Sequence, residues 1–207
     1  MNPAPSPLPP FHDSLDASFF EVWRLLQEGP RLRRNAFHMP ALATVDAHGQ
    51  SQVRTVVLRE ADPATGRLRF HCDRRSAKAA EIEASGRAAL HGYDTATKIQ
   101  IRVAGSARLH TDDALAEAAW AGSRIMSRTC YGIAPAPGTA LPTGGAYTQP
   151  EDGADLDLSR ANFCAVVVTA ERLDFLFLDR RGHRRAGWAR GEAGCGEAGW
   201  TGTWLAP

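Results

Sequence analysis

The chain has four cysteines, Cys72, Cys130, Cys164 and Cys195, far apart and in no Cys-x-x-Cys pair, which removes a zinc knuckle and a thioredoxin-like redox motif. The seven histidines are scattered, with no His-Glu-x-x-His and no paired ligand spacing, so no metal site is expected. Ser123 and Ser127 stand in no Gly-x-Ser-x-Gly elbow, which leaves a serine hydrolase without support. A Gly-x-Gly-x-x-Gly run is missing too, and with it a Rossmann dinucleotide site. Charge of one sign is also lacking. The formal net charge of +1 argues against nucleic acid as a partner, since a duplex-binding face needs a larger basic excess, and the clusters 31–34 and 180–185 read as solvated turns. No segment approaches the roughly 18 apolar residues of a membrane span, and the proline-rich stretch Met1–Pro10 has no signal-peptide core, so a cytoplasmic protein without membrane association is expected.

What is present is a series of short alternating segments. A length of 207 residues suffices for a single core, and no second periodic block demands another domain, so one domain is expected over 1–207, with a flexible N-terminus over 1–12. Leu15, Phe19, Val22, Trp23 and Leu26 fall at helical spacing, with Ser14 as cap and Gly29-Pro30 as stop. Strands are expected near Phe37–Val45, Gln50–Arg59, Arg67–Cys72, Ala88–Tyr93 and Lys98–Leu109, then Ala161–Thr169, Glu171–Leu178 and Glu197–Leu205. Asp112–Trp120 reads as a surface helix. The Gly-, Pro- and acid-rich stretch 134–158 is too long for a simple connection and reads as a lid or an insertion. Many short strands with few helices suggest a barrel or sandwich, a mainly β (α+β) chain with a few surface helices.

Three segments carry candidate chemistry. In Arg54-Thr55-Val56-Val57-Leu58-Arg59 two arginines bracket an apolar strand and point to opposite faces, Arg54 suited to a phosphate while the main chain of Val56 and Val57 lies along a flat ring. In the second, Arg67-Leu68-Arg69-Phe70-His71-Cys72 alternates as a strand, and a helix capped by Asp73 follows. Ser76 and Lys78 then fall near its first turn, where free N–H groups and the dipole favour an anion. The third, Lys98 to Ala107, puts Gln100 and Arg102 opposite Ile99, Ile101 and Val103, and the Gln100 amide suits the edge of a heterocycle. Ser127, Arg128 and Tyr131 are weaker candidates, with an ordinary surface role ahead.

The order of these motifs resembles the pyridoxamine 5'-phosphate oxidase family of FMN-binding split barrels, from about Asn35 to Gly105 and more weakly from Arg172 to Pro207. The family's arginine, apolar residues and basic residue look like Arg54 to Arg59, and its aromatic-threonine pair is similar to His71-Cys72. Its Ser-Arg-Lys looks like Ser76-Ala77-Lys78, its Gln-Val-Arg with following glycine like Gln100-Ile101-Arg102 with Gly105, and its C-terminus like Trp204-Leu205-Ala206-Pro207. The resemblance implies a Greek-key split β-barrel, FMN as cofactor, and a homodimer with flavins at the subunit interface. It implies that Arg54, Lys78 and Ser76 hold the FMN phosphate, that Val56, Val57 and His71 line the flavin and ribityl chain, that Gln100 bonds the ring edge, and that Thr55, Arg59 and Cys72 are further cofactor-binding positions. Arg59, Arg124 and Arg184 become candidate contacts for a substrate anion.

This sequence departs from the family mainly where substrate binds. Arg59 replaces the usual lysine, Trp120 a tyrosine, Leu178 a tryptophan, and Arg184-Arg185-Ala186 lacks the histidine of the family's Arg-x-His. The expected activity is an FMN-dependent oxidoreductase with hydride transfer from a small amine or alcohol to FMN and then to oxygen, on another or broader substrate than pyridoxamine phosphate. The alternatives are a non-catalytic flavin-binding protein and an NAD(P)H-dependent flavin reductase.

Overall fold

The computed structural model describes residues 7–151, 156–191 and 199–207. Cys195 and the first residues of the segment expected at Glu197–Leu205 lie outside them. Ser14 caps the first helix, α1 (Leu15–Glu28), its hydroxyl accepting from the Ala17 N–H at 3.2 Å, and Val22, Trp23, Leu25 and Leu26 form its buried stripe. A short 3-10 helix (Ala36–His38) follows where a strand was expected to begin, because the Asn35 side chain accepts from the Phe37 N–H at 2.8 Å and turns the chain; β1 is only Ala41–Val45.

The strand expected over 50–59 is two, β2 (Ser51–Thr55) and β3 (Leu58–Asp62), which pair with different partners. The chain breaks at Val56-Val57, where the Val56 N–H bonds the Pro40 carbonyl at 3.0 Å. There follow β4 (Arg67–Asp73), α2 (Ala77–Ser85), β5 (Arg87–Asp94), β6 (Ile99–His110), α3 (Ala114–Ala121), α4 (Ile125–Thr129), α5 (Asp157–Asn162), β7 (Phe163–Phe177), β8 (Arg184–Arg190) and β9 (Trp200–Leu205). The two strands expected over 161–178 are the single strand β7, and β8 occupies part of the cluster expected to be a solvated turn.

All strand pairs are antiparallel, in the order β2-β1-β5-β6-β7-β4-β3, with β8 joining β7 and β9 joining β8. β7 makes the split. Its first half pairs with β4 through Thr169 and its second half with β8 from Arg172 onward, while β6 runs along both. Inward residues from β1, β3, β4, β5, β6, β7 and β8 join the apolar stripe of α1 in one core. A smaller cluster of Ala119, Phe163 and Ala165, with Leu115, Trp120 and Tyr131 against it, seats α3 on the other side of β7. Among the described residues no helix is long and apolar enough to cross a membrane.

Candidate functional site

Two adjoining regions gather the expected residues, beginning with a cationic cradle where α2 meets β1 and β2. Arg54 stands opposite Leu42 and therefore on the same sheet face, turned inward toward α2. Its Nη2 donates to Glu81 Oε2 at 2.9 Å, its Nη1 donates to Thr44 Oγ1, and the Thr44 hydroxyl donates to Glu81. The guanidinium is therefore oriented by a buried carboxylate, and its Nε–H remains without a partner among the described residues. Sequence reasoning missed Glu81, because nothing local marks a helix carboxylate 27 residues away as the partner of a strand arginine.

Asp73 is not the cap of α2; Ser76 is, and α2 begins at Ala77. The Asp73 carboxylate instead accepts from the Arg75 backbone at 2.8 Å and pairs with its guanidinium at 2.6 Å. Arg75 also donates to the carbonyls of Tyr131 and Ile133 at 3.3 and 2.9 Å, tying the segment after α4 to the cradle. Ser76 is buried, and its hydroxyl donates to the Asp73 carbonyl at 2.6 Å, so that proton is engaged inside the turn. What opens outward is the start of α2, where the N–H groups of Ala77 and Lys78 have no carbonyl a turn back. The half-buried Lys78 ammonium makes no ion pair among the described residues. Two cations and two free N–H groups suit a phosphoryl group.

Beside the cradle lie the apolar break and the β4 edge. Val56 is buried in the core and Val57 half-buried, while Thr55 is exposed. His71 lies edge-on to Phe163 with ring centroids 5.0 Å apart, and its Nε2 accepts from Arg69 Nη1 at 2.6 Å, which puts the ring proton on Nδ1. Burial, reinforced by the positive charges of Arg69 and Arg59, pushes its pKa down to about 3, so His71 is a neutral imidazole at neutral pH. Cys72 turns inward with its Sγ 3.3 Å from that of Cys164 across the strand pair, so only its main chain is available to a ligand. Burial also raises the Tyr131 hydroxyl, keeping it protonated.

Gln100 is not in this neighbourhood. It lies opposite Tyr93 on one side and Leu176 on the other, on the face of β6 away from Ile99, Ile101 and Val103, with its Oε1 3.2 Å from His91 Nε2. Arg54, in register with buried Leu42, belongs to the inner face, so one chain puts the two residues on opposite sides of the sheet.

The second region is a cavity of about 410 Å³ that opens at the Val56-Val57 break. Arg59 and Arg124 both line it, with Val57, Met39 and His38. Arg31 and Arg33, expected to be solvated turn residues, line the same cavity. Arg184 does not; it is paired with Asp13 at 2.8 Å. Arg128 is also structural, donating to the carbonyls of Trp120 and Ala121 and stacking over the Trp120 ring at 5.2 Å. Among the described residues no group of three or more His, Cys, Asp or Glu could hold a metal.

A cationic cradle beside an apolar strand break on an antiparallel split barrel suits a phosphorylated ligand with a flat ring. The family described as pyridoxamine 5'-phosphate oxidase, FMN-binding domain, matches residues 21–111. The pyridoxine/pyridoxamine 5'-phosphate oxidase of Paracoccus denitrificans is 38% identical over 105 residues, 50% of this chain and 47% of that protein. The matched segment thus spans about half the length of such a relative, while Arabidopsis thaliana pyridoxine/pyridoxamine 5'-phosphate oxidase 2 is 27% identical over 77% of this chain and 82% of its own. Among solved structures, a pyridoxamine 5'-phosphate oxidase-related, FMN-binding protein from Nostoc punctiforme superposes with a TM-score of 0.66 and 26% identity, covering 98% of this chain and all of that one. PhzG from Burkholderia lata, solved with tetrahydrophenazine-1-carboxylic acid, shares the fold with a TM-score of 0.71 at 20% identity over 98% of both chains. Residues 21–111 thus match the FMN-binding domain of the pyridoxamine 5'-phosphate oxidase family, FMN is the cofactor that match implies, and the chain as a whole shares its fold with a pyridoxamine 5'-phosphate oxidase-related, FMN-binding protein.

Proposed function

We propose that the chain, acting as one FMN-binding domain, is an FMN-dependent oxidoreductase that takes a hydride from a small anionic amine or alcohol and passes the electrons to oxygen. The observation that carries this reading is the adjacency of two cationic sites. One is the cradle of Arg54, Lys78 and the start of α2; the other is the cavity lined by Arg59 and Arg124, with the half-buried Val57 at its wall. The cradle binds the FMN phosphate, and bound FMN supplies the two-electron acceptor. Main chain at Thr55, Val56, Val57 and Cys72 gives the ring a flat bed, and neutral His71 offers a directed hydrogen bond without a charge that would compete with substrate. Arg59 and Arg124 orient the substrate anion at the open side of that bed.

We also propose that the site is completed in a homodimer, the partner's Gln100 reaching the ring edge. The opposite sheet faces of Arg54 and Gln100 within one chain favour that arrangement.

The test is a visible spectrum of the purified protein, an FMN titration, and then pyridoxamine phosphate under air. Bleaching that recovers with aldehyde formation supports the oxidase. FMN bound without turnover directs the reading to another anionic substrate or to a binding role, and bleaching by NAD(P)H to a flavin reductase. Lys78→Ala should weaken FMN binding at least tenfold, as expected for about 1.5–3 kcal/mol of charge-assisted bonding, with an unchanged melting temperature. Unaltered FMN affinity in that variant would remove Lys78 from the cofactor site.

A further inference from the structure

The cavity beside the strand break holds more positive charge than one substrate anion requires. Arg59 and Arg124 reach it from β3 and from the residue before α4, and Arg31 and Arg33 from the segment between α1 and the 3-10 helix. No Asp or Glu lines it. None of these four guanidiniums has a hydrogen bond or ion pair with another described residue, whereas elsewhere arginines commonly meet a carboxylate: Arg24 with Glu21 and Glu28, Arg69 with Glu60, Arg87 with Glu171, Arg160 with Glu117. In a chain of net charge +1, such a concentration of unneutralised charge is a local arrangement and not a consequence of composition.

The segment bearing Arg31 and Arg33 is built rather than loose. The N–H groups of Arg31 and Leu32 bond the Glu28 carbonyl at 3.0 and 2.9 Å, and the Asn35 N–H bonds the Leu32 carbonyl at 2.8 Å. His38 Nδ1 lies 2.7 Å from the Gly29 carbonyl oxygen, closing the segment from the other side. At Gly29 any Cβ would come within 2.5 Å of the Phe37 carbonyl oxygen, so the segment is pressed against the 3-10 helix. The two arginines are therefore presented from a fixed backbone, which lowers the ordering cost of binding.

We infer that Arg31 and Arg33 form a second anion subsite in the substrate cavity, and that the natural substrate is a small molecule carrying two separate anionic groups. One group is held by Arg59 and Arg124 and the other by Arg31 and Arg33. A volume of about 410 Å³ suits a ligand of metabolite size, and like charges converging on one cavity repel until anions neutralise them. The inference rests on the proposed oxidoreductase reading for the word substrate, but the anion site itself does not need it.

The experiment is calorimetric titration of the FMN-saturated protein with inorganic phosphate and with three probes bearing anionic groups at increasing separation: pyrophosphate, citrate and fructose 1,6-bisphosphate. At least one of the three should bind about tenfold or more tighter than phosphate, as a second charge-assisted contact provides. The double variant Arg31→Gln/Arg33→Gln should lose that advantage and keep phosphate binding, while Arg59→Gln/Arg124→Gln should weaken both. Arg108→Gln/Arg180→Gln, with the same change in net charge on exposed arginines outside the cavity, should bind as the unaltered protein does. Equal affinity for phosphate and all three probes, or an advantage that survives Arg31→Gln/Arg33→Gln, would overturn the inference. If FMN does not bind, the titration is run on the protein alone; an Arg31- and Arg33-dependent preference then keeps the anion site while the oxidoreductase reading fails. FMN binding without the preference leaves that reading in place and removes this one.

Discussion

Replacing Arg54 by alanine strips the partner from Glu81, a carboxylate only 9% exposed, and from the Thr44 hydroxyl between them. An uncompensated buried charge costs about 3–5 kcal/mol, and because the Arg54 side chain is itself 23% exposed the loss should fall at the low end, about 3 kcal/mol by urea denaturation. Adding Glu81→Gln removes the charge and should restore a large part of that stability without restoring FMN affinity. A double variant no more stable than Arg54→Ala would show that the pair is not what Arg54 holds in place. Arg54 is thus a poor single probe of the cofactor site and Lys78 a better one. His71 gives a second test at this scale, because its folded pKa of about 3 lies below its ordinary 6.5, mainly through burial. Between those values the unfolded chain binds a proton that the folded chain refuses, so the contribution is full above pH 6.5 and is lost as pH falls toward 3. Unfolding free energy should fall more steeply in that window than in His71→Gln, by up to about 1.4 kcal/mol per pH unit. Parallel stability curves for the two proteins would mean that His71 is not buried as described.

Gly105 shows how an element depends on one missing side chain. The register of β6 on β7 jumps here, Ala104 opposing Arg172 and Gly105 opposing Ala170, so Glu171 is the extra residue of a bulge. A Cβ at Gly105 would lie 1.9 Å from the Thr169 carbonyl oxygen, and β7 changes partner from β4 to β8 just past this point. Gly105→Ala should therefore cost roughly 3 kcal/mol or more in a thermal melt, against about 1 kcal/mol for Gly49→Ala, where the turn has positive φ but open space. Equal effects would remove the close approach as the reason for glycine. The bulge also explains what the sequence left unread. Phe163 to Phe177 looks like two strands because the alternation slips at Ala170-Glu171, while Gln50 to Arg59 looks like one because Val56-Val57 continues an apolar run through the break. β8 was hidden by Arg184 and Arg185, whose charges pair with Asp13 and Asp174 at its edge. By contrast α1, β4 and β6 were legible, each with a full periodic face and, for α1, a cap. The site divides in the same way. Motif order pointed to Arg54, His71, Lys78, Arg59 and Arg124, whereas Glu81, Arg31 and Arg33 take their surroundings from contacts distant in sequence.

At the scale of the molecule, the opposite orientations of Arg54 and Gln100 make oligomeric state a functional question. Tyr93, Gln100, Leu176, Arg185 and Leu205 stand in register across β5, β6, β7, β8 and β9, and directly opposed residues share a face. Tyr93 and Leu205 at the ends of this row are each 40% exposed, large apolar side chains on the face that carries Gln100. If the proposed homodimer uses this face, dimerisation and FMN binding rise and fall together. Leu205→Asp should then shift the protein to a monomer in light scattering and weaken FMN binding in the same concentration range, because the two equilibria are linked. Gln100→Ala should leave the dimer intact and weaken FMN by a factor of about 5–10, the value of one buried neutral hydrogen bond of about 1–1.5 kcal/mol. A monomeric Leu205→Asp variant that binds FMN as tightly as the unaltered chain would place the whole cofactor site within one protomer and leave Gln100 as an outward-facing strand residue paired with His91.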